Sequence, residues 1–600
     1  MLREDSHKLL VKKKEEYNRQ LAEKTRLEGT ITALRAVTFI AGFCLIAIGL
    51  SEDNMLWCLG AAFLIGFILL VRIHNKHDSQ VNRLKAGLST VDKLLMGYEE
   101  TWNQIEDDGG QFMEDEDYFA KDVDMLGFNS LYQKINLAHT SKGKMMLAKL
   151  LSLKEDVALT RETRQQAIKE LCQDADFVVD FSSATKLLDN KKTKSDSLDE
   201  FAKYCGDKNV GALPGWAKVI SIIFPVAFWV AFILWLCDVT HYGYALVIFF
   251  VNLSVNILTR HVTDRIIQPV YVMCILFENY MQVLKVVSGK EFKSERLKEL
   301  HHRLCGEDGT YTAFNKLKGI SQAYNISYNP VIHQVFASVF FWDYQLARAV
   351  GNWKEKYGAN VADCFDNIGE LEALISLASI GITHQCCWGE LSFDDKVSLK
   401  VEDAYHPLID QSKVVSNSAT LEDGITIITG SNMSGKTTFL RTLAINLALL
   451  YIGAPVCAKE FKSSYMKIFT SMRVTDDVAH GISTFYAEIL RIKTMSEYKK
   501  CGKPMLCLID EIFKGTNSAD RIVGAKGVIT GLSGENTMVI VSTHDFELCS
   551  LTNQSGEQVA NYHFEEYYQD DMLKFDYSIK DGRCTTTNAK AILKMAGFSV

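Results

Sequence analysis

The segment Gly430-Ser431-Asn432-Met433-Ser434-Gly435-Lys436-Thr437 follows the apolar run Ile425-Thr426-Ile427-Ile428 and precedes a helical pattern from Thr438 onward. A strand that breaks into a glycine-bounded loop and then a helix specifies an α/β layer. Gly430 and Gly435 let successive backbone N–H groups turn inward around phosphate. Lys436 adds a point charge, and the Thr437 hydroxyl is a ligand for Mg²⁺. These residues, with Thr438 opening the helix, predict a site for ATP.

Two further elements stand in the order such a site needs. Met505-Leu506-Cys507-Leu508-Ile509 reads as a buried strand ending in Asp510-Glu511. Asp510 is expected to hold Mg²⁺, and Glu511 to orient and deprotonate the water that attacks the γ-phosphate. Thr537-Met538-Val539-Ile540-Val541 ends in Ser542-Thr543-His544, which brings an imidazole to the same sheet edge. His544 is expected to sense the γ-phosphate. Taken singly, an acidic pair or a histidine at a strand end is commonly a solvated loop; the three in sequence are what carry the reading.

The stretch between loop and acids holds Asp476-Asp477, Gly481, Ser483-Thr484-Phe485 and Glu488. This resembles the MutS family, as do Tyr405-His406-Pro407-Leu408, Asn432-Met433, Asp510-Glu511-Ile512 with Gly515-Thr516, Thr543-His544-Asp545-Phe546-Glu547-Leu548 and Val559-Ala560-Asn561-Tyr562-His563. A weaker likeness upstream rests on Asp124-Met125-Leu126-Gly127-Phe128-Asn129-Ser130-Leu131, on Gly143-Lys144-Met145-Met146-Leu147-Ala148 and on the segment Glu370 to Ala378. The resemblance implies a P-loop NTPase domain of the ABC/MutS type following an all-α MutS-core-like domain.

It also implies a homodimer in which Ser483 of one chain reaches the nucleotide held by the other, aided by the positive end of the helix it opens. Capping the helix Phe485 to Met495 is the alternative role of Ser483-Thr484. Where the family loop reads Gly-Pro-Asn-Met-Gly-Gly-Lys-Ser, this chain carries Ser431, Ser434 and Thr437, and Lys514 replaces the usual Arg. Thr437 keeps the hydroxyl; Lys514 loses a bidentate fork. A transporter-like Leu532-Ser533-Gly534-Glu535 falls after the acids rather than before them, and reads as a turn.

Four apolar stretches are foreign to a soluble ATPase: about Ala36 to Leu50, Met55 to Val71, Val219 to Cys237 and His241 to Thr259. Each approaches the ~20 apolar residues that cross a bilayer. Lys12-Lys13-Lys14, Arg19, Lys24 and Arg26 precede the first pair, and Arg72, His74, Lys76 and Arg83 follow it. Lys218 and Arg260 flank the second pair, and neither inter-helix turn carries Lys or Arg. The positive-inside rule then puts both termini and the ATPase in the cytosol, at a multi-pass inner (cytoplasmic) membrane location. Very hydrophobic soluble hairpins are the alternative.

The expected organisation is a basic polar helix at 1–30, a transmembrane hairpin at 31–75, a helix and acidic linker at 76–117, a helical MutS-core-like domain at 118–395 interrupted by a second transmembrane hairpin at 216–260, and the ATPase domain at 396–600. A net charge of -8 and pI near 6.0 give no global basic field, so any DNA contact is local. Lys285, Lys290, Lys293, Arg296, Lys298 and Arg303 form one basic cluster, but Glu291, Glu295 and Glu299 interleave with it. Fifteen cysteines without a Cys-x-x-Cys pair suit a reduced compartment. No aromatic wedge domain for reading mismatches precedes the core; Phe564-Glu565-Glu566 matches that short pattern but is expected to lie beyond the ATPase core. The expected function is a membrane-anchored MutS-like ATPase acting on mismatched or structured DNA in repair or recombination. A nucleotide-dependent scaffold, or a transport or remodelling ATPase that does not use DNA, remains open beside it.

Overall fold

The computed structural model describes residues 2–51, 55–99, 101–154, 158, 160–188, 195–207, 211–324, 330–394, 396–431, 433–473, 484–513, 518–552, 556, 558–569 and 572–584. Two long helices, Leu2–Ser51 and Leu56–Glu99, run antiparallel. The basic leader is therefore no separate element: the helix it begins continues unbroken into the first apolar stretch. Its polar half and that of its partner pack onto the helical region, with Leu10, Val91, Leu94 and Leu95 buried in the shared core. The apolar halves project from that body with their side chains largely exposed.

A second helical pair, Gly215–Leu236 and Tyr242–Ser288, repeats this design. Among the described residues four helices, namely these two and the first pair, are long and apolar enough to cross a membrane. The acidic stretch after the first pair is ordered against the core, because Trp102 is buried and Gly109 closes onto the ring of Tyr132.

At the centre of the helical region lies Cys364–Thr383, buried along nearly its whole length. Its closest neighbour is Ser141–Leu151, and the crossing is tight at two glycines. A Cβ on Gly143 would meet the Glu372 side chain, and one on Gly369 would come within 2.9 Å of the Gly143 nitrogen. The sequence Gly143-Lys144-Met145 thus serves helix packing.

Sheet structure begins at Glu390, slightly before the expected boundary. Strands β1 (Glu390–Ser392), β2 (Ser398–Ala404), β3 (Asn417–Glu422), β4 (Gly424–Thr429), β5 (Glu460–Ser464), β6 (Lys467–Ser471), β7 (Met505–Asp510), β8 (Thr537–Thr543), β9 (Ala560–Gln569) and β10 (Met572–Asp581) make two sheets. The smaller has the order β1-β5-β2-β3, and the larger β10-β9-β4-β8-β7-β6. In the larger sheet β9, β4, β8, β7 and β6 are parallel, and β10 is antiparallel at one edge. Continuous runs such as Met538-Val539-Ile540-Val541 are buried on both faces, as a helix-covered parallel sheet demands.

The helix Lys436–Ile452 follows β4 and is almost wholly buried between the sheet and the helical region. Its last carbonyls are held from across that boundary. Arg161 donates to Leu450 O at 2.8 Å and Arg164 to Ile452 O at 2.7 Å, two cations at the negative end of a helix dipole.

Candidate nucleotide and metal site

Because β4, β7 and β8 are parallel neighbours, their C-terminal ends open on one edge, with Asp510 in register with Ser542 and Thr429 with Thr543. Ligands in open α/β sheets bind at this edge. Gly430 has φ 148° and Gly435 φ 114°. A Cβ on Gly430 would fall 2.7 Å from Ser434 Oγ and 2.8 Å from the Phe564 carbonyl, so the loop's tight curl requires glycine there. Gly435 caps the helix without any side-chain bond to the first-turn amides.

Lys436 is buried inside the curl, its Nζ donating to Gly430 O and Ser431 O at 2.8 Å each. Burial pushes its ammonium below the usual lysine value, and the Glu511 and Asp510 carboxylates oppose that shift. Thr437 Oγ1 donates to Asp510 Oδ2 at 2.8 Å, and Ser542 donates to the other Asp510 oxygen. Hydroxyl and carboxylate oxygens side by side are the hard donors that Mg²⁺ prefers. His544 Nε2 lies 2.8 Å from Glu511 Oε1 and 3.4 Å from Lys436 Nζ.

The structure therefore gathers Gly430, Ser431, Ser434, Gly435, Lys436, Thr437, Asp510, Glu511 and His544 at one edge. Met433 is fully turned to solvent in left-handed backbone. Thr438 lines a cavity of about 500 Å³ that it shares with Trp102, Asp124, His406 and Arg441, on the side toward the helical region. Asn432, Ser483 and Lys514 lie outside the described residues.

Other groups at the site carry no sequence signal. Ser431 Oγ donates to Glu566 Oε2 at 2.6 Å, tying the loop to β9. Tyr577 sits at φ 53° in an irregularity of β10 and places its ring edge 3.4 Å from where a Gly435 Cβ would be. Asn417 fixes that bulge through Tyr577 O at 3.1 Å and Ile579 N at 2.7 Å. Phe564, the residue of the wedge-like tripeptide, is buried beneath the loop against Phe439.

Behind the site stands a charged junction with the helical region. Asp122, fully buried, accepts from Arg491 at 2.8 Å and from the Met472 and Arg473 amides at 3.1 Å each. Asp124 binds Arg473 and, at 3.3 Å, Arg441 of the helix that follows the loop. Glu488, also buried, accepts from the Phe513 amide at 2.9 Å, just beyond the Asp510-Glu511 pair. The helix bearing Glu488 and Arg491 thus touches both the turn that follows the acids and the helical region.

The residues present fit a Mg²⁺-bound nucleoside triphosphate on three observations: the cradle that a Cβ at Gly430 would fill, the paired Thr437 and Asp510 oxygens, and the buried Ser434 Oγ, which has no partner among the described residues. Residues 426–599, from within β4 onward, match the family model described as MutS domain V, which is an ATPase domain. Through this domain the chain is similar to the MutS family.

Proposed function

We propose that the chain is a membrane-anchored ATPase that binds ATP on the loop 430–438 and cleaves it, using the cycle to rearrange a homodimer. The convergence of Lys436, Thr437, Asp510, Glu511 and His544 carries this reading. In it Lys436 and the loop amides hold the phosphates, Glu511 accepts the proton of the attacking water, and His544 holds Glu511 and faces the γ-phosphate. Mg²⁺, when bound through Thr437 and Asp510, supplies charge neutralisation on the phosphates. Ser483 completes the partner's site in trans, and the Tyr577 ring offers a stacking face for the base.

The four long apolar helices form two spanning hairpins. They hold the helical domain, at 118–395 outside its hairpin, and the ATPase domain, at 396–600, on the cytosolic side of the inner membrane. Likeness to the MutS family favours DNA, mismatched or structured, as the partner of the helical domain. One observation favours the rival reading, a membrane-bound nucleotide-dependent scaffold or remodelling ATPase. Cations of the basic cluster are bonded within the fold: Arg296 to Glu370 and Glu299, Arg303 to Glu299, and Lys290 to Asp174.

The test is the ATPase rate of the detergent-solubilised chain with and without duplex, mismatched and branched DNA at several salt concentrations. Salt-sensitive stimulation by DNA supports the first reading. Turnover indifferent to all three leaves the scaffold, and no nucleotide retention or turnover with Mg²⁺ present ends both.

A further inference from the structure

Between the second apolar pair and the body of the helical region lies Pro330–Phe340, apolar but too short to cross a bilayer. It turns at Phe341, which is buried in left-handed backbone, into the helix Trp342–Ala362. The two arms pack on each other and are joined by His333 and Asp343 at 2.8 Å. Their tip reaches far along the apolar pair: Phe340 packs on Trp229 and Phe341 on Phe224. Trp229 lies about 16 Å of helix beyond Lys218, close to the middle of a ~30 Å hydrocarbon core.

Polar side chains of the long helix hold the tip there. Asn252 donates to Ser338 O at 2.8 Å and Asn256 to Ala337 O at 2.9 Å. Both asparagines are buried, about 15 and 21 Å of helix from Tyr242, so the depth measured from the opposite end agrees. Lower down, Tyr344 donates to Thr259 at 2.6 Å and Gln345 to Ser221 O at 3.0 Å. The two asparagine bonds satisfy carbonyls of the last turn before Phe341, as hydrocarbon demands of an interrupted helix. The outward face of Pro330–Phe340 is apolar, with Ile332 47%, Val335 45% and Phe340 40% exposed, continuous with the exposed Val226 and Val230 of the neighbouring helix.

We propose that the helical hairpin made by Pro330–Phe340 and the start of Trp342–Ala362 is a fifth membrane element, entering from the cytosolic side, ending at mid-bilayer and covered by lipid acyl chains. This rests on the reading that Gly215–Leu236 and Tyr242–Ser288 span the membrane. The hairpin gives the helical domain a rigid foot inside the bilayer, in which the Asp343 carboxylate, only about 3 Å of helix beyond Phe341, is held by His333.

The test uses the full chain in phosphatidylcholine–phosphatidylglycerol vesicles, with a photoreactive diazirine side chain at Val335, at Val230 or at Lys356. Lys356 is exposed on the same helix as Asp343 but about 20 Å from the tip. Expected are acyl-chain adducts at Val335 and Val230 and none at Lys356. Adducts at Val230 without any at Val335 overturn the fifth element while leaving the spans standing. No adducts at either position overturn the spanning reading and this one with it.

Discussion

His544 and Glu511 are joined across two neighbouring strand ends, Nε2 to Oε1 at 2.8 Å, with the Glu511 amide donating to Ser542 O at 3.0 Å. Glu511 is also held in left-handed backbone at φ 51°, a conformation that costs an acidic residue free energy and persists because the surroundings fix it. Its carboxylate is thereby aimed along the sheet edge.

Glu511→Gln keeps the side chain's size and its bond to His544 but removes its basicity. Hydrolysis in a single turnover should fall by about 10²–10⁴-fold, the usual contribution of a positioned base. Retention of radiolabelled ATP on the protein should be unchanged or longer. Unaltered hydrolysis would assign the proton acceptor elsewhere.

Thr437→Val tests the metal pair. Asp510 loses the donor at 2.8 Å, and the site loses one of the two oxygens proposed to hold Mg²⁺. Affinity for ATP in the presence of Mg²⁺ should drop by about tenfold, or ~1.4 kcal/mol, with little change when Mg²⁺ is chelated. An equal loss under both conditions would mean that the hydroxyl acts on the loop alone.

The loop, the acid pair and His544 were legible because each is a short contiguous motif following a buried strand, and parallel pairing brings strand ends together without further information. What pairs across the chain was not. Ser431 with Glu566, Asn417 with Tyr577, and Asp122 with Arg491 are separated by more than a hundred residues, and no local spacing foretells them. The apolar pairs were visible by length. Pro330–Phe340 was not, because a short apolar run reads equally as core helix. The helix begun by the basic leader runs on through residue 30 into the apolar stretch although Gly29, Thr30 and Thr32 are weak helix formers, since the change there is one of composition only.

Asp122→Ala should separate the ATPase domain from the helical region. Removing a fully buried carboxylate leaves the two amides unpaired and Arg491 with only Arg473 O and the Tyr118 ring, which costs about 3–5 kcal/mol. Limited proteolysis should cut between the two regions sooner, and the apparent melting midpoint should fall. Asp122→Asn retains an acceptor for the amides and should lose less. Equal resistance of Asp122→Ala and wild type would show that the junction contributes little.

Glu372 should set a pH dependence of stability in the helical region. Burial pushes its carboxyl up to about 7, against the bonds it accepts from Thr140 and the His139 amide. A carboxyl whose folded pKa exceeds its unfolded value of about 4.5 holds more protons folded than unfolded between the two. Its cost is therefore absent near pH 4, grows as pH rises through that window, and is complete above about pH 7, where it reaches at most ~3 kcal/mol. Glu372→Gln imitates the protonated form, keeping an acceptor for the amides while removing the charge. The variant's apparent melting midpoint, relative to wild type, should rise between pH 5 and pH 8, measured on the full chain in detergent. Parallel curves for the two proteins across that range would mean that Glu372 is ionised at no cost, its charge already satisfied by the donors around it.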